Sequence, residues 1–130
     1  MNDLEILMKA EAKKKAIEDD AKAQIEKEEF KKARTWKKET LEKLSFLKDY
    51  GCEFDFYHNS RSAIYITPKG HATIEIKLSS VYESSIIKYD LNKPLKINWN
   101  YEICGGAKSN LSLEDFVKSL ARRGIININA

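Results

Sequence analysis

The chain has 130 residues, 42% of them hydrophobic, which is enough for one domain with one modest core. Its formal charge of +3 at pH 7 falls well short of the strongly basic balance that is typical of a dedicated nucleic-acid-binding protein. No apolar run is long enough for a signal peptide or a membrane span, and Asp3, Glu5 and Glu11 argue against a mitochondrial targeting sequence. We therefore expect a cytoplasmic protein that does not bind a membrane.

The first fifty residues contain neither Gly nor Pro, and this predicts one long helix over residues 2–48. Unbroken, such a helix would be roughly 70 Å long, whereas the remaining residues would fold to a globule about 30 Å across. The helix is therefore too long to be covered by its own domain. It must bend back, pair with another copy or reach a different partner.

The apolar face of this helix changes position halfway along, by roughly 120° or more at ~100° per residue. The change predicts a kink or break near residues 26–29, and it divides the chain into a helical arm, residues 1–28, and a single α+β domain, residues 29–130. The domain half carries the larger side chains, Phe30, Ala33, Leu41, Leu44 and Leu47, with Trp36 nearby. The arm carries a weaker stripe, Ile6, Ala10, Ile17, Ala21 and Ile25.

Two interpretations of the arm stripe stay open. It could pack back on its own domain or be partly frayed, or it could bind a protein partner, which includes a second copy of the chain. Sustained heptads are absent from the sequence, so a long regular coiled coil is not expected.

A run of basic residues without an acid surrounds Trp36 and suggests a second kind of partner. Cations beside an aromatic ring can contact phosphates and stack on a base, although the same residues would also suit the solvated face of a docked helix. The candidate nucleic-acid-binding residues are Lys31, Lys32, Arg34, Trp36, Lys37 and Lys38, joined by Arg122 and Arg123 near the C-terminus.

From Gly51 onward the period of the apolar residues becomes two, which indicates β-strands. Short connections such as Pro68-Lys69-Gly70 favour an antiparallel meander of about five strands with one buried face. The alternation predicts strands over residues 52–57, 64–66, 72–78, 85–89 and 95–103.

A second helix follows the strands. Ser112 with Asp115 three residues later is typical of a helix start, Gly124 of a helix stop, and the apolar stripe between them predicts packing on the sheet. We expect residues 105–109 to be a flexible connection before this helix. The tail with Ile125, Ile126 and Ile128 would form a short edge strand or pack under the N-terminal helix.

Candidate chemical groups are few. His58 and His71 each precede a Ser or Thr by two residues, as in two-histidine phosphoesterases, but a meander would place them at opposite edges of the sheet, about 20 Å apart. The loop at Gly105-Gly106 departs from the phosphate-loop pattern, and Cys52 and Cys104 are not spaced as metal ligands. We therefore predict no catalytic residue, no metal and no cofactor.

The sequence thus favours a small non-enzymatic protein-binding module. Its Lys-, Ile- and Asn-rich composition would suit an accessory protein of a phage or mobile element that inhibits, or adapts, a host defence complex. Two alternatives stay open: a nucleic-acid-binding accessory protein that uses the basic helix 31–38, and a structural or assembly subunit that forms a homo-oligomer.

Overall fold

The computed structural model describes residues 2–55, 60–100 and 107–128. It has a long N-terminal helix, an antiparallel five-stranded sheet, a two-stranded sheet and a C-terminal helix. In chain order the elements are α1 (Asp3–Leu44), a 3₁₀ helix (Ser45–Tyr50), β1 (Glu53–Phe54), β2 (Ala63–Thr67), β3 (Ile74–Lys77), β4 (Ser79–Glu83), β5 (Ile86–Asp90), β6 (Leu95–Asn98), β7 (Lys108–Leu111) and α2 (Leu113–Arg122).

Helix α1 is continuous over 42 residues. The Asn2 side chain accepts a hydrogen bond from the Glu5 N–H, which satisfies one of the free amides of the first turn. At the other end the 3₁₀ helix stops at Gly51, whose φ of 89° is the left-handed conformation that glycine adopts at low cost. Because α1 runs through residues 26–29 without interruption, the predicted break is absent, although the apolar face does change there.

The larger sheet has the strand order β1-β2-β3-β6-β7, and every neighbouring pair is antiparallel. Between β3 and β6 the chain leaves this sheet to form the separate β4–β5 hairpin. The Ser79 hydroxyl donates to the Pro94 carbonyl at 2.6 Å and ties the base of the hairpin together. The α+β class, the five-stranded antiparallel sheet and the C-terminal helix are therefore confirmed.

One continuous core joins α1, the 3₁₀ helix, the sheet and α2. At its centre the ring of Trp99, which directly follows β6, lies 5.5 Å from the ring of Phe116 in α2. The buried members of the core include Ala33, Leu44, Leu47, Cys52, Ile64, Ile66, Ile74, Ile76, Ile97, Trp99, Phe116, Leu120, Ile125 and Ile126. Ile125 and Ile126 therefore belong to a packed tail, and they lie outside any strand.

A buried carboxylate fixes α1 to the hairpin. Glu29, only 8% exposed, accepts a hydrogen bond from the Tyr89 N–H at 2.8 Å. Lys32 donates to the same carboxylate at 3.0 Å and to the Tyr89 carbonyl at 3.4 Å. Together these two side chains satisfy both peptide groups of Tyr89 on the edge of β5, as a neighbouring strand would.

The other flank of α1 is held by the connection before β2. The Arg61 guanidinium lies 3.9 Å from the centroid of the Phe30 ring, and the Lys37 ammonium donates to the Ser60 carbonyl at 2.7 Å. Because contacts are made on both flanks, α1 cannot roll about its own axis without breaking one of them.

Several predicted elements differ from the structure. Residues 79–83 form strand β4, which the sequence pattern did not indicate, and Lys108–Leu111 form strand β7 where a flexible connection was expected. The predicted strands over 72–78 and 95–103 are shorter, at Ile74–Lys77 and Leu95–Asn98. The predictions for Phe56 to His58, for residues 101–106 and for Cys104 lie outside the described residues.

The buried carboxylate generates the first prediction. Burial alone would raise the pKa of Glu29, but the Tyr89 N–H and the Lys32 ammonium overcome this effect and lower it below its ordinary value. A lowered pKa means that Glu29 stabilises the fold fully above its unfolded-state pKa and loses this contribution as the pH falls through its folded-state pKa. We expect Glu29→Gln to lower the free energy of unfolding by about 1 kcal/mol near neutral pH, and the deficit to shrink in acid.

Urea unfolding of both proteins across a pH series measures this difference. The matched control is Glu42→Gln, an exposed position on the same helix, for which we expect a change within about 0.5 kcal/mol. A deficit for Glu29→Gln that stays constant with pH would contradict the assigned role of the charge.

Candidate protein-binding surface

The arm extends beyond the domain with its apolar stripe exposed to solvent. From Asp3 to Ala21 every residue is exposed except Glu5, which is half-buried, and this segment is about 28 Å long. Among the larger stripe residues, Ile6 is 50% exposed, Ile17 71% and Ile25 38%. We call Ile6, Ala10, Ile17, Ala21 and Ile25 the arm stripe.

The direction of the arm stripe follows from helix geometry. The docked face of α1 contains Glu29, Ala33, Thr40 and Leu44, all of them buried. At 100° per residue the centre of the arm stripe lies about 125° around the helix from the centre of this docked face. Since α1 is unbroken, the arm stripe points away from the domain. The arm does not fold back on the domain as a helical hairpin, which was one of the two interpretations that the sequence left open.

Ion pairs within the helix support the arm on its other sides. Lys9 lies 3.4 Å from Glu5, and Lys15 lies 2.8 Å from Asp19, each pair one helical turn apart. The hydrogen bond to Asp19 and the charge of that group raise the pKa of Lys15. Both pairs lie away from the arm stripe at ~100° per residue, so neither pair places its charges on the stripe.

The stripe leads into a groove that sequence reasoning missed. On the same side of α1 an open groove of about 480 Å³ lies beside Trp36, which is half-buried, and Leu91, which is 51% exposed. The only signal in the sequence is an apolar Leu91 within the polar turn Asp90-Leu91-Asn92. The remaining lining residues are Glu28, Lys31, Lys32, Thr35 and Glu39.

The predicted nucleic-acid-binding residues are divided among different environments. Lys32 and Lys37 are occupied by the contacts that dock α1, and Trp36 packs against the core. Lys31, Arg34 and Lys38 are exposed on the solvent side of the helix.

The two C-terminal arginines form a separate group. Leu113, at the start of α2, lines the same surface pocket as Thr40 of α1, whereas Leu120, near the end of α2, lines a different pocket with Leu47 and Tyr50. Arg122 and Arg123 follow at this far end, where the Arg123 guanidinium lies 4.3 Å from the Trp99 ring centroid. The structure therefore does not bring them next to the basic residues of α1.

The remaining candidate groups show no assembled chemistry in the described segments. Cys52 is buried, and burial raises the pKa of its thiol, which favours the unreactive protonated form. Within residues 2–55, 60–100 and 107–128, no three His, Cys, Asp or Glu side chains are grouped as a metal site would require. Among those same residues, no helix combines the length and apolarity needed to cross a membrane.

Comparison with protein-family models, with curated proteins and with solved structures finds no match for this chain. The candidate surface is therefore defined by its own geometry. It consists of the arm stripe and the Trp36–Leu91 groove, which follow one another along the same side of α1.

The separation of arm and domain generates the second prediction. Because residues 3–21 are exposed to solvent with the exception of Glu5, deletion of residues 1–25 should change the free energy of unfolding of the remaining domain by less than about 1 kcal/mol. By contrast, Leu44→Ala in the full chain should cost about 2–5 kcal/mol, because it opens a cavity in the core.

Both variants can be compared by urea unfolding at about 1 µM protein, where self-association contributes least. A truncated chain that is unfolded, or that loses several kcal/mol, would show that the arm is an integral part of the domain.

Proposed function

We propose that this chain is a small non-enzymatic protein-binding module that captures a partner on the arm stripe. The observation that carries the proposal is the orientation of the stripe. The centre of the stripe lies about 125° from the docked face on an unbroken helix, and the domain leaves Ile6 50% and Ile17 71% exposed. Contiguous exposed apolar surface rimmed by polar residues is typical of a protein interaction site.

The shape of the surface indicates the kind of partner. A long helical face with apolar residues at intervals of one or two turns suits another helix, which can pack along it at 8–10 Å between axes. The Ala10 and Ala21 side chains allow such a close approach, and the Trp36–Leu91 groove can accept a larger apolar side chain at the end of the contact. Inhibition or adaptation of a host defence complex by a phage or mobile-element protein is one form that such binding would take.

The proposal predicts face-specific cross-linking. A photo-cross-linking amino acid placed at Ile17 of the full chain should form protein adducts in the native cell, whereas one at Ala16 should form few. The two positions are neighbours and both are exposed, but Ala16 lies about 125° from the stripe centre. Gel shift and mass spectrometry of the adducts would reveal the partner, with nuclease treatment in parallel to exclude a nucleic-acid bridge.

A second variant tests whether the adducts depend on the stripe. Adding Ala21→Glu, which places a charge in the middle of the stripe, should remove the adducts formed at Ile17. The same change at Ala12, on another side of the helix, should leave them in place. Equal adducts at Ile17 and Ala16, or no adducts at either, would contradict the proposal.

A second candidate function, nucleic-acid binding, is favoured by one observation: Lys31, Arg34 and Lys38 are exposed on one side of α1 within two and a half turns. If these three cations contact phosphates, replacing all three by Gln should weaken binding to duplex DNA and lower the salt slope of log K by about 2–3. The matched control replaces Lys13, Lys14 and Lys15 by Gln.

Fluorescence anisotropy over a salt series measures both quantities. Equal losses from the two triple variants would indicate attraction by net charge alone, and no binding at low salt would rule this function out.

A further inference from the structure

We infer that the partner of the arm stripe is a second copy of the chain, whose α1 packs antiparallel to the first with Ala21 at the two-fold axis. This inference rests on the proposed function and names the occupant of the same surface. In an antiparallel pair with this axis, a residue of one copy lies opposite a residue of the other copy when their two residue numbers add up to 42. The register can therefore be read directly from the sequence of α1.

Four of the five residues of the arm stripe lie opposite apolar residues in this register, and the fifth, Ala10, lies opposite Lys32. Ala21 lies opposite its own copy, so the smallest side chain occupies the place where the two backbones come closest. Ile17 lies opposite Ile25 on both sides of the axis. At the two ends of the contact Ile6 lies opposite Trp36, beside the exposed Leu91.

The charges on the same face also match. Lys14 lies opposite Glu28, and the two-fold axis creates this pair twice; both side chains are exposed in the single chain. A parallel pair in register would instead place Lys14 against Lys14 and Glu28 against Glu28, which are repulsive arrangements. One unfavourable pair, Asp3 opposite Glu39, lies at the outer end of the contact, where exposed charges contribute little.

The position of the domains allows this pairing. Each domain holds its own α1 from a direction about 125° away from the stripe, so both domains lie outside the helix pair. The contact from Ile6 to Trp36 would be about 45 Å long, and it extends beyond the arm to the docked part of the partner's α1. The Trp36–Leu91 groove, which is open among the described residues of its own chain, would receive Ile6 of the second copy.

Exchange of the matched charges tests the register. The wild-type chain should sediment at twice its 15.0 kDa mass at roughly 100 µM. Lys14→Glu makes both facing pairs acidic, and Glu28→Lys makes both basic, so each single variant should self-associate on the order of tenfold more weakly. An equimolar mixture of the two variants restores one acid and one base to every facing pair, and it should recover the wild-type affinity.

Two further proteins complete the test. The double variant with both exchanges should also recover self-association, because each facing pair is again complementary. Lys15→Glu makes the same charge change at a neighbouring position away from the stripe, and it should associate like the wild type. Circular dichroism of each variant separates loss of the interface from loss of helix.

The outcomes separate this inference from the proposed function. A monomeric wild-type chain, or single variants that are not rescued by mixing, would overturn the antiparallel pair. If the chain is monomeric and Ile17 still cross-links to a different protein, the binding function stands and the second copy is excluded as its partner. If neither self-association nor face-specific cross-linking occurs, both proposals fail.

Discussion

The rotation of α1 about its own axis is fixed on the hairpin side by one buried contact, between the Glu29 carboxylate and the Tyr89 peptide N–H. An ionised carboxylate is costly to bury, so this position is stable only with the N–H and the Lys32 ammonium both in place. Their geometry permits one rotational setting of the helix. Because the helix is continuous, this rotational setting also determines the direction in which the side chains of the arm face, 20 Å or more away along the helix.

The same contact explains why the β4–β5 hairpin can stand apart from the main sheet. A two-stranded hairpin is marginal by itself, and alternate peptide groups on each strand point away from its partner. At Tyr89 these groups meet side chains of α1, so the helix takes the place of a third strand. The hairpin and the helix therefore stabilise one another, and Tyr89 is buried where they meet.

The sequence pattern predicted the elements where periodicity was long and regular. Helix α1, the helix that starts at Ser112 and the strands around Ile64 and Ile76 follow directly from it. Strand β4 was missed because its tight turn is built by Ser84 and Ser85, with φ of 52° and 64°, where glycine or asparagine would be the usual signal. Strand β7 was missed because Lys108–Leu111 has only one apolar residue, and its pairing with β6 depends on contacts distant in sequence.

The arm stripe was predictable, but its orientation and its surroundings were not. Residue spacing identified Ile6, Ala10, Ile17, Ala21 and Ile25 as one face, since helical geometry alone determines that. Whether Lys32 and Lys37 were free for a ligand depended on Tyr89 and Ser60, which are 57 and 23 residues away in the chain. The groove at Leu91 likewise required the loop after β5 to meet α1.

Docking of residues 29–44 also changes the energetics of the arm. A short isolated helix is marginal in water because the first turn is costly to nucleate, whereas each added residue propagates the helix at little cost. In this chain the packed half of α1 supplies the nucleus, and the Ala, Glu and Lys content of the arm favours propagation. A partner of the arm stripe therefore meets a helix that is already formed. The ordering cost of the proposed binding is therefore lower on this side of the interface than it would be for a disordered segment of the same composition.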